Sequence, residues 1–318
     1  MNRRAFAASV GASVAGSMLG ACSPAAPRAL PGEPPSLSYD DSVRAIRAVI
    51  AHDAADTTLI HDALPRLHQH GAPVENAVIL FHGFTNCPQQ FDLLARQFYA
   101  RGCNVYVPRL PRHGRRDRLT TTLADLTIEE LGKSTLDAFA FARGLGRRVS
   151  SVGLSLGGSM SLWLAQAMPI DLAVACRCMM RPRNRLYHRY ILDLMKVEAT
   201  GEGAVVSAAE RAGIMEARTV WDYDDVFIAP RYGFASAEDY YERCRPTRFM
   251  AGVRVPTLVM SALDDPWIPG ALYRDYDWRS NPSLTPLLPE SGGHVGFHGT
   301  SSRQPWSDLA VARFFEHA

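Results

Sequence analysis

The chain has 318 residues, 47% of them hydrophobic and 21% charged, enough apolar side chain for one sizeable core and ordinary for a single α/β domain. Its 34 basic side chains stand against 32 acidic ones, a formal net charge of +2, and that near balance argues against a nucleic-acid surface. The one basic run, 109–118, is broken by Pro111, Gly114 and Asp117 and reads as a loop.

Residues 1–21 read as a targeting segment outside the fold. Arg3-Arg4 supply a positive start, and Ala5 to Leu19 is a short stretch of small residues, too weakly apolar to span a membrane. It ends in Leu19-Gly20-Ala21-Cys22, which resembles the lipobox of bacterial lipoproteins, where the cysteine is lipidated and becomes the mature N-terminus. Arg3-Arg4-Ala5-Phe6 resembles a twin-arginine export signal, and Ser23 after the cysteine resembles an outer-membrane address. The expectation is an exported lipoprotein of the cell envelope, anchored to a membrane through Cys22; a cleaved secretory peptide with an incidental cysteine is the alternative. Residues 22–37, rich in Pro and Ala, form a disordered spacer, and one domain occupies 38–318. Beyond Cys22 the cysteines are five, an odd number that cannot all pair, and Cys176-Arg177-Cys178 lacks the spaced pairs of a zinc site. Buried free thiols and no metal are expected.

Asp40-Asp41-Ser42 precedes apolar residues at helical spacing (Val43, Ile46, Val49, Ile50), predicting an N-terminal helix over Tyr39 to Ala54. Thr57 to His70 has room for an early strand. Asn76 to Phe81 is a continuous apolar run, the mark of a strand buried on both faces, and it empties into His82-Gly83-Phe84-Thr85. A helix follows over Gln89 to Ala100, a strand over Asn104 to Pro108, the loop Arg109 to Gly114, and a helix over Thr127 to Gly144. Arg148 to Val152 is the next strand, and Met160 to Met168 a helix stopped by Pro169. Asp171 to Cys176 reads as a core strand. From about 181 to 248 the alternation stops, in a segment rich in Arg and Tyr that reads as a mostly helical cap insertion. The strand pattern resumes at Val255 to Met260 and Ser283 to Leu288, and Trp306 to His317 closes the chain as an amphipathic helix. This order predicts an α/β fold with a doubly wound, mostly parallel sheet, whose ligands sit beyond the carboxyl ends of its strands.

Chemistry concentrates at Gly153-Leu154-Ser155-Leu156-Gly157, a Gly-x-Ser-x-Gly set between a strand and a helix. A serine pinched there takes a sharp turn that flanking glycines make possible, and its hydroxyl stands above the sheet edge: a nucleophile elbow. Ser155 needs a base, and that base needs an orienting acid. In this architecture the chain order is serine, acid, histidine. The base is His294, which Gly292-Gly293 turn back towards the elbow, with His298 as the alternative. The acid is Asp265, from the spacing Ala262-Leu263-Asp264-Asp265, with Asp264 capping the turn as the alternative assignment. Two backbone N–H groups, of Phe84 and Leu156, would form the oxyanion hole, while His82 shapes its loop by hydrogen bonding.

Together His82-Gly83-Phe84, the Ser155 motif, Asp264-Asp265-Pro266 and Gly293-His294 resemble the α/β-hydrolase superfamily over roughly Asn76 to Ala318. Pro108 to Gly114 resembles the monoacylglycerol-lipase-like branch, with Arg112 in place of the first glycine of its Pro-Gly-His-Gly loop. Gly233-Phe234, Tyr240-Tyr241, Asp264-Asp265-Pro266 and Gly292 to Phe297 resemble the YheT-like hydrolases. The resemblance implies an α/β-hydrolase fold and hydrolysis of a small-molecule ester through an acyl-enzyme, with no cofactor. Trp221, Tyr223, Phe227, Tyr232 and Phe234 of the cap would line an apolar acyl pocket. A peptidase or amidase, an acyltransferase, and a surface binding module of the same fold remain as alternatives.

Overall fold

The computed structural model of the chain describes residues 32–84, 86–116, 126, 128–176, 185–200, 206–231, 233–244, 250–265, 270–293, 297 and 304–317. Cys22, Tyr232, His294 and His298 lie outside these.

Seven strands form one sheet in the order β1-β3-β2-β4-β5-β6-β7. They are β1 Arg66–His68, β2 Val74–Phe81, β3 Asn104–Val107, β4 Gly146–Leu154, β5 Leu172–Cys176, β6 Thr257–Met260 and β7 Leu284–Leu287. All neighbours run parallel except β1, which lies antiparallel against β3 at the edge. The early strand expected within 57–70 is thus a short edge strand.

The helices among the described residues include α1 Tyr39–Ala55, α2 Asp92–Ala100, α3 Ile128–Leu145, α4 Leu156–Ala167, and, after β5, α5 Arg185–Thr200, α6 Ala208–Glu216, α7 Val220–Tyr223, α8 Ala237–Cys244 and, last, α9 Trp306–His317, with short helical turns at Ala229–Arg231 and Ala271–Arg274 besides. Ser38 caps α1 by accepting the Asp41 N–H at 3.1 Å. The helix expected from Gln89 opens as a 3-10 turn, Pro88–Phe91, with proline at the first position, where its missing N–H costs no hydrogen bond.

Chain order against sheet order explains where a site can form. From β2 the chain winds to β3 on one side, then crosses back to β4 on the other. The reversal lies between β2 and β4, where a doubly wound sheet leaves a crevice at its strand ends. The register pairs Phe81 with Gly153, so the turns leaving these two strands lie side by side. Buried Val78, Leu80, Val105, Val107, Val152, Leu258 and Met260 carry the sheet's part of the core, against Phe91 at the start of α2, Leu94 and Phe98 on it, and Val311 of α9. The continuous apolar run of β2 is buried from Ala77 to Phe81, as a parallel interior strand requires.

The chain resolves into two compact units, a larger one of 30–116, 132–181 and 249–318 and a smaller one that includes 182–248. The described part of the smaller unit is helical, with Ser207 and Thr219 each closing a capping box. Between α7 and α8 lies a π-helical turn, Asp224–Ile228, which no periodicity in the sequence announces. Cys87 and Cys103 are buried free thiols, and among the described residues no helix is long and apolar enough to cross a membrane.

Candidate active site

β4 ends at Leu154 and α4 begins at Leu156, four residues earlier than the sequence pattern indicates. Ser155 alone makes the turn, with φ 56° and ψ −115°, one of two non-glycine residues with positive φ among those described. A non-glycine residue held there costs on the order of 1–3 kcal/mol, sustained by its surroundings. The flanking glycines serve a purpose other than the expected flexibility. A Cβ on Gly157 would lie 1.9 Å from the Phe81 carbonyl oxygen, and one on Gly153 would lie 1.9 Å from the Gly157 carbonyl oxygen. Neither glycine has positive φ. They let the first turn of α4 sit directly on the ends of β2 and β4, and the serine takes the strained geometry itself. Leu156 is the first helical residue, so its N–H lacks an intrahelical acceptor and carries the positive end of the helix dipole.

The turn after β2 lies against this elbow. A Cβ on Gly83 would come 3.5 Å from both Ser155 Cβ and the Leu154 carbonyl oxygen. His82 is fully buried, and its Nε2 accepts the Leu110 N–H at 3.0 Å. The proton of the neutral ring is therefore on Nδ1, which donates to the Gly83 carbonyl oxygen at 2.9 Å. Burial holds this imidazole well below its ordinary pKa, and the nearby His113 and Arg109 push the same way. Both ring nitrogens are thus engaged, which is the loop-shaping role expected for His82 and not that of a base. The Asn86 N–H also reaches the Gly83 carbonyl oxygen, at 3.2 Å. A trans peptide points its C=O and N–H in opposite directions, so anchoring this carbonyl aims the Phe84 N–H the other way. The Gly83 N–H is taken by Gln90 Oε1 at 2.9 Å. The Phe84 N–H makes no hydrogen bond among the described residues. Of two adjacent amides, one is occupied and the other has no acceptor among the described residues.

The two candidate acids differ in environment. Asp265 is 1% exposed, while Asp264 is exposed and its Oδ1 accepts the Gly293 N–H at 2.8 Å. Gly293 has φ 59°, the left-handed turn expected ahead of His294. Asp264 therefore ties down the turn that carries the candidate base, and the buried position belongs to Asp265.

The alpha/beta hydrolase family model matches residues 78–310. The chain belongs to the alpha/beta hydrolase family. Its sheet is the family's fold, a mostly parallel, seven-stranded one flanked by helices. Over 251 residues it is 30% identical to YheT of Escherichia coli (strain K12), whose name assigns it to the esterases, covering 70% of this chain and 67% of that protein. An overlap of that length reaches both halves of the chain, so the likeness to YheT extends beyond the C-terminal segments that resemble it most plainly. A second relative, the monoacylglycerol lipase of Saccharomyces cerevisiae, is 33% identical over 99 residues, 31% of this chain and only 22% of the yeast protein. A solved structure from work on the metagenome-derived lipolytic enzymes LipS and LipT superposes with a TM-score of 0.53 at 16% identity, covering 81% of this chain and all of that one. That agreement is one of fold.

Within this alpha/beta hydrolase, the structure brings Ser155, Leu156 and Gly83-Phe84 together at the reversal between β2 and β4, and buries Asp265 after β6. Gln90, whose Oε1 takes the Gly83 N–H and not that of Phe84, carries no signal in the sequence: a glutamine seven residues beyond a His-Gly pair is too common to single out. Arg109 and His113 lie in the loop Arg109 to Gly114, where the sequence assigns neither a task. Arg109 forms a paired contact with buried Asp53, 2.7 Å from Nε and from Nη2. Only the fold brings Asp53 of α1 to that loop.

Proposed function

We propose that the chain is a serine hydrolase cleaving carboxylic esters with an apolar acyl part through an acyl-enzyme on Ser155. Relatives that are esterases and lipases by name support ester hydrolysis as the reaction class. The observation that carries the serine mechanism is Ser155 itself, held at positive φ between β4 and α4 and beside an amide with no acceptor among the described residues. In this reading Ser155 Oγ attacks the ester carbonyl carbon while His294 takes the hydroxyl proton. The carbonyl oxygen, now an anion, receives the Phe84 and Leu156 N–H groups. Collapse breaks the bond to the alcohol, which leaves with the proton from the imidazolium. Water then attacks the acyl-enzyme by the same route and releases the acid and free Ser155. Asp265 holds the imidazole tautomer and stabilises the imidazolium. Residues 181–248 act as a cap that selects the acyl chain, and Cys22 carries a lipid that anchors the enzyme in the cell envelope.

Hydrolysis of p-nitrophenyl esters from acetyl to long acyl chains, by protein starting at Ser23, tests the reaction. Turnover should peak at one chain length, and Ser155→Ala should reduce kcat on the order of 10⁶-fold. Wild-type turnover surviving in Ser155→Ala would sink the mechanism. Anchoring is read separately: full-length protein should incorporate labelled palmitate and sediment with membranes, and Cys22→Ala should do neither.

A further inference from the structure

We infer that His113 is a positioning residue for the Phe84 N–H, holding the turn after β2 from the neighbouring loop after β3. The inference rests on the serine-hydrolase reading above. His113 is 1% exposed, and its ring meets two others edge-on: His82 at 5.2 Å and 69°, and Phe84 at 5.5 Å and 85°. These residues flank Gly83, whose carbonyl sets the direction of the Phe84 N–H. One side chain from another loop thus touches the turn on both sides of the peptide group that matters.

The ring is itself fixed from three directions. Its Nδ1–H donates to the Pro111 carbonyl oxygen at 2.8 Å. Its own carbonyl oxygen accepts Arg109 Nη1 at 3.1 Å, and Arg109 is locked to Asp53 of α1. The residue before it, Arg112, has φ 65°, a left-handed conformation that a non-glycine residue adopts at a cost. That turn reverses the chain and drives the next side chain inward. Nε2 of His113 has no hydrogen-bond partner among the described residues. A buried acceptor left without a partner is destabilising, so what this ring contributes lies in its packing and not in that nitrogen. What it gives the two loops is a rigid edge of the right size. The neutral tautomer comes from the same geometry, since Nδ1 is the donor and no acceptor among the described residues faces Nε2.

A misdirected oxyanion donor weakens binding of the tetrahedral state and leaves substrate binding alone. His113→Ala should therefore lower kcat about 10–100-fold with KM within twofold of wild type. Inhibition by a long-chain trifluoromethyl ketone, which binds as a tetrahedral adduct, should weaken by the same factor. Inhibition by the plain methyl ketone of the same length should not change. His113→Phe keeps a ring without the nitrogens and should recover kcat to within about fivefold of wild type. Thermal unfolding of both variants confirms that folded protein is compared. A folded His113→Ala with kcat within twofold of wild type overturns the inference, as does a His113→Phe no better than His113→Ala. Labelling of wild-type Ser155 by a fluorophosphonate is scored first. Absence of label overturns the mechanism and this inference together, whereas label with an unaffected His113→Ala overturns this inference alone.

Discussion

Two adjacent aspartates illustrate how environment, more than identity, assigns a task. Asp264 is in water and bonds a backbone amide, while Asp265 is sealed from solvent beside it. In the proposed mechanism the triad acid acts through a dry, directed hydrogen bond to the imidazole, and of the two carboxylates Asp265 is the one removed from water. Asp265→Asn should therefore reduce kcat by roughly 10⁴-fold, the scale of losing the tautomer control. Asp264→Ala releases the Gly293 N–H to water and should cost less than about tenfold, since an exposed bond of this kind is worth on the order of 1 kcal/mol. Steady-state kinetics on one ester decides it, and the reverse ranking would move the acid to Asp264. The same residue-level accounting separates the histidines. His82 donates from one nitrogen and accepts at the other, leaving neither for a serine hydroxyl.

At the level of elements, the seat of α4 on the ends of β2 and β4 is a contact between backbones. Gly157→Ala gains about 1 kcal/mol in helix propensity. It also drives a methyl into the Phe81 carbonyl oxygen at 1.9 Å, where no side chain can yield. Overpacking of this kind costs up to about 3 kcal/mol and should win. We expect a urea midpoint well below wild type at unchanged slope, with esterase activity lost alongside as the turn after β2 moves; a midpoint at or above wild type would mean the two elements separate freely. The sequence shows the glycines but not this reason for them, because close approach depends on which strands are neighbours. Its legible parts are those where burial leaves a pattern. β2 is one, because both its faces are covered and apolar residues run without a break. The start of α4 at Leu156 is not, because Leu156-Gly157-Gly158 carries poor helix formers whose placement is fixed by packing. Within 181–248 a mostly helical segment is expected and the described residues are mostly helical, yet the π turn at Asp224–Ile228 leaves no trace in periodicity. His82, Phe84, Ser155 and Leu156 could be named from motifs. Gln90, Asp53 and the His113 ring against Phe84 belong to no motif and needed the fold.

Over the whole molecule, the two units carry buried groups whose titrations oppose each other. In the larger unit burial lowers His82 well below its ordinary pKa and brings His113 down to about 4. The unfolded chain protonates these rings near pH 6.5 and the native one does not, so between about pH 6.5 and 4 acidification favours unfolding. In the smaller unit burial raises Asp224 to about 7, against the hydrogen bond it receives from Tyr241. Here the native carboxyl keeps its proton after the unfolded one has lost it near pH 4. Its stabilising contribution is complete below pH 4 and falls away as pH rises to about 7. Asp224→Asn keeps an acceptor for Tyr241 and removes the charge. Its stability should come nearest to wild type at pH 4 and exceed it increasingly as pH rises to 8, by as much as about 4 kcal/mol there if the whole shift is expressed. The acid loss from the histidines should persist unchanged. Thermal unfolding of both proteins from pH 4 to 9 reads this directly. A wild-type excess at pH 8, or a variant whose acid limb also flattens, would show that Asp224 is not what sets the alkaline limb.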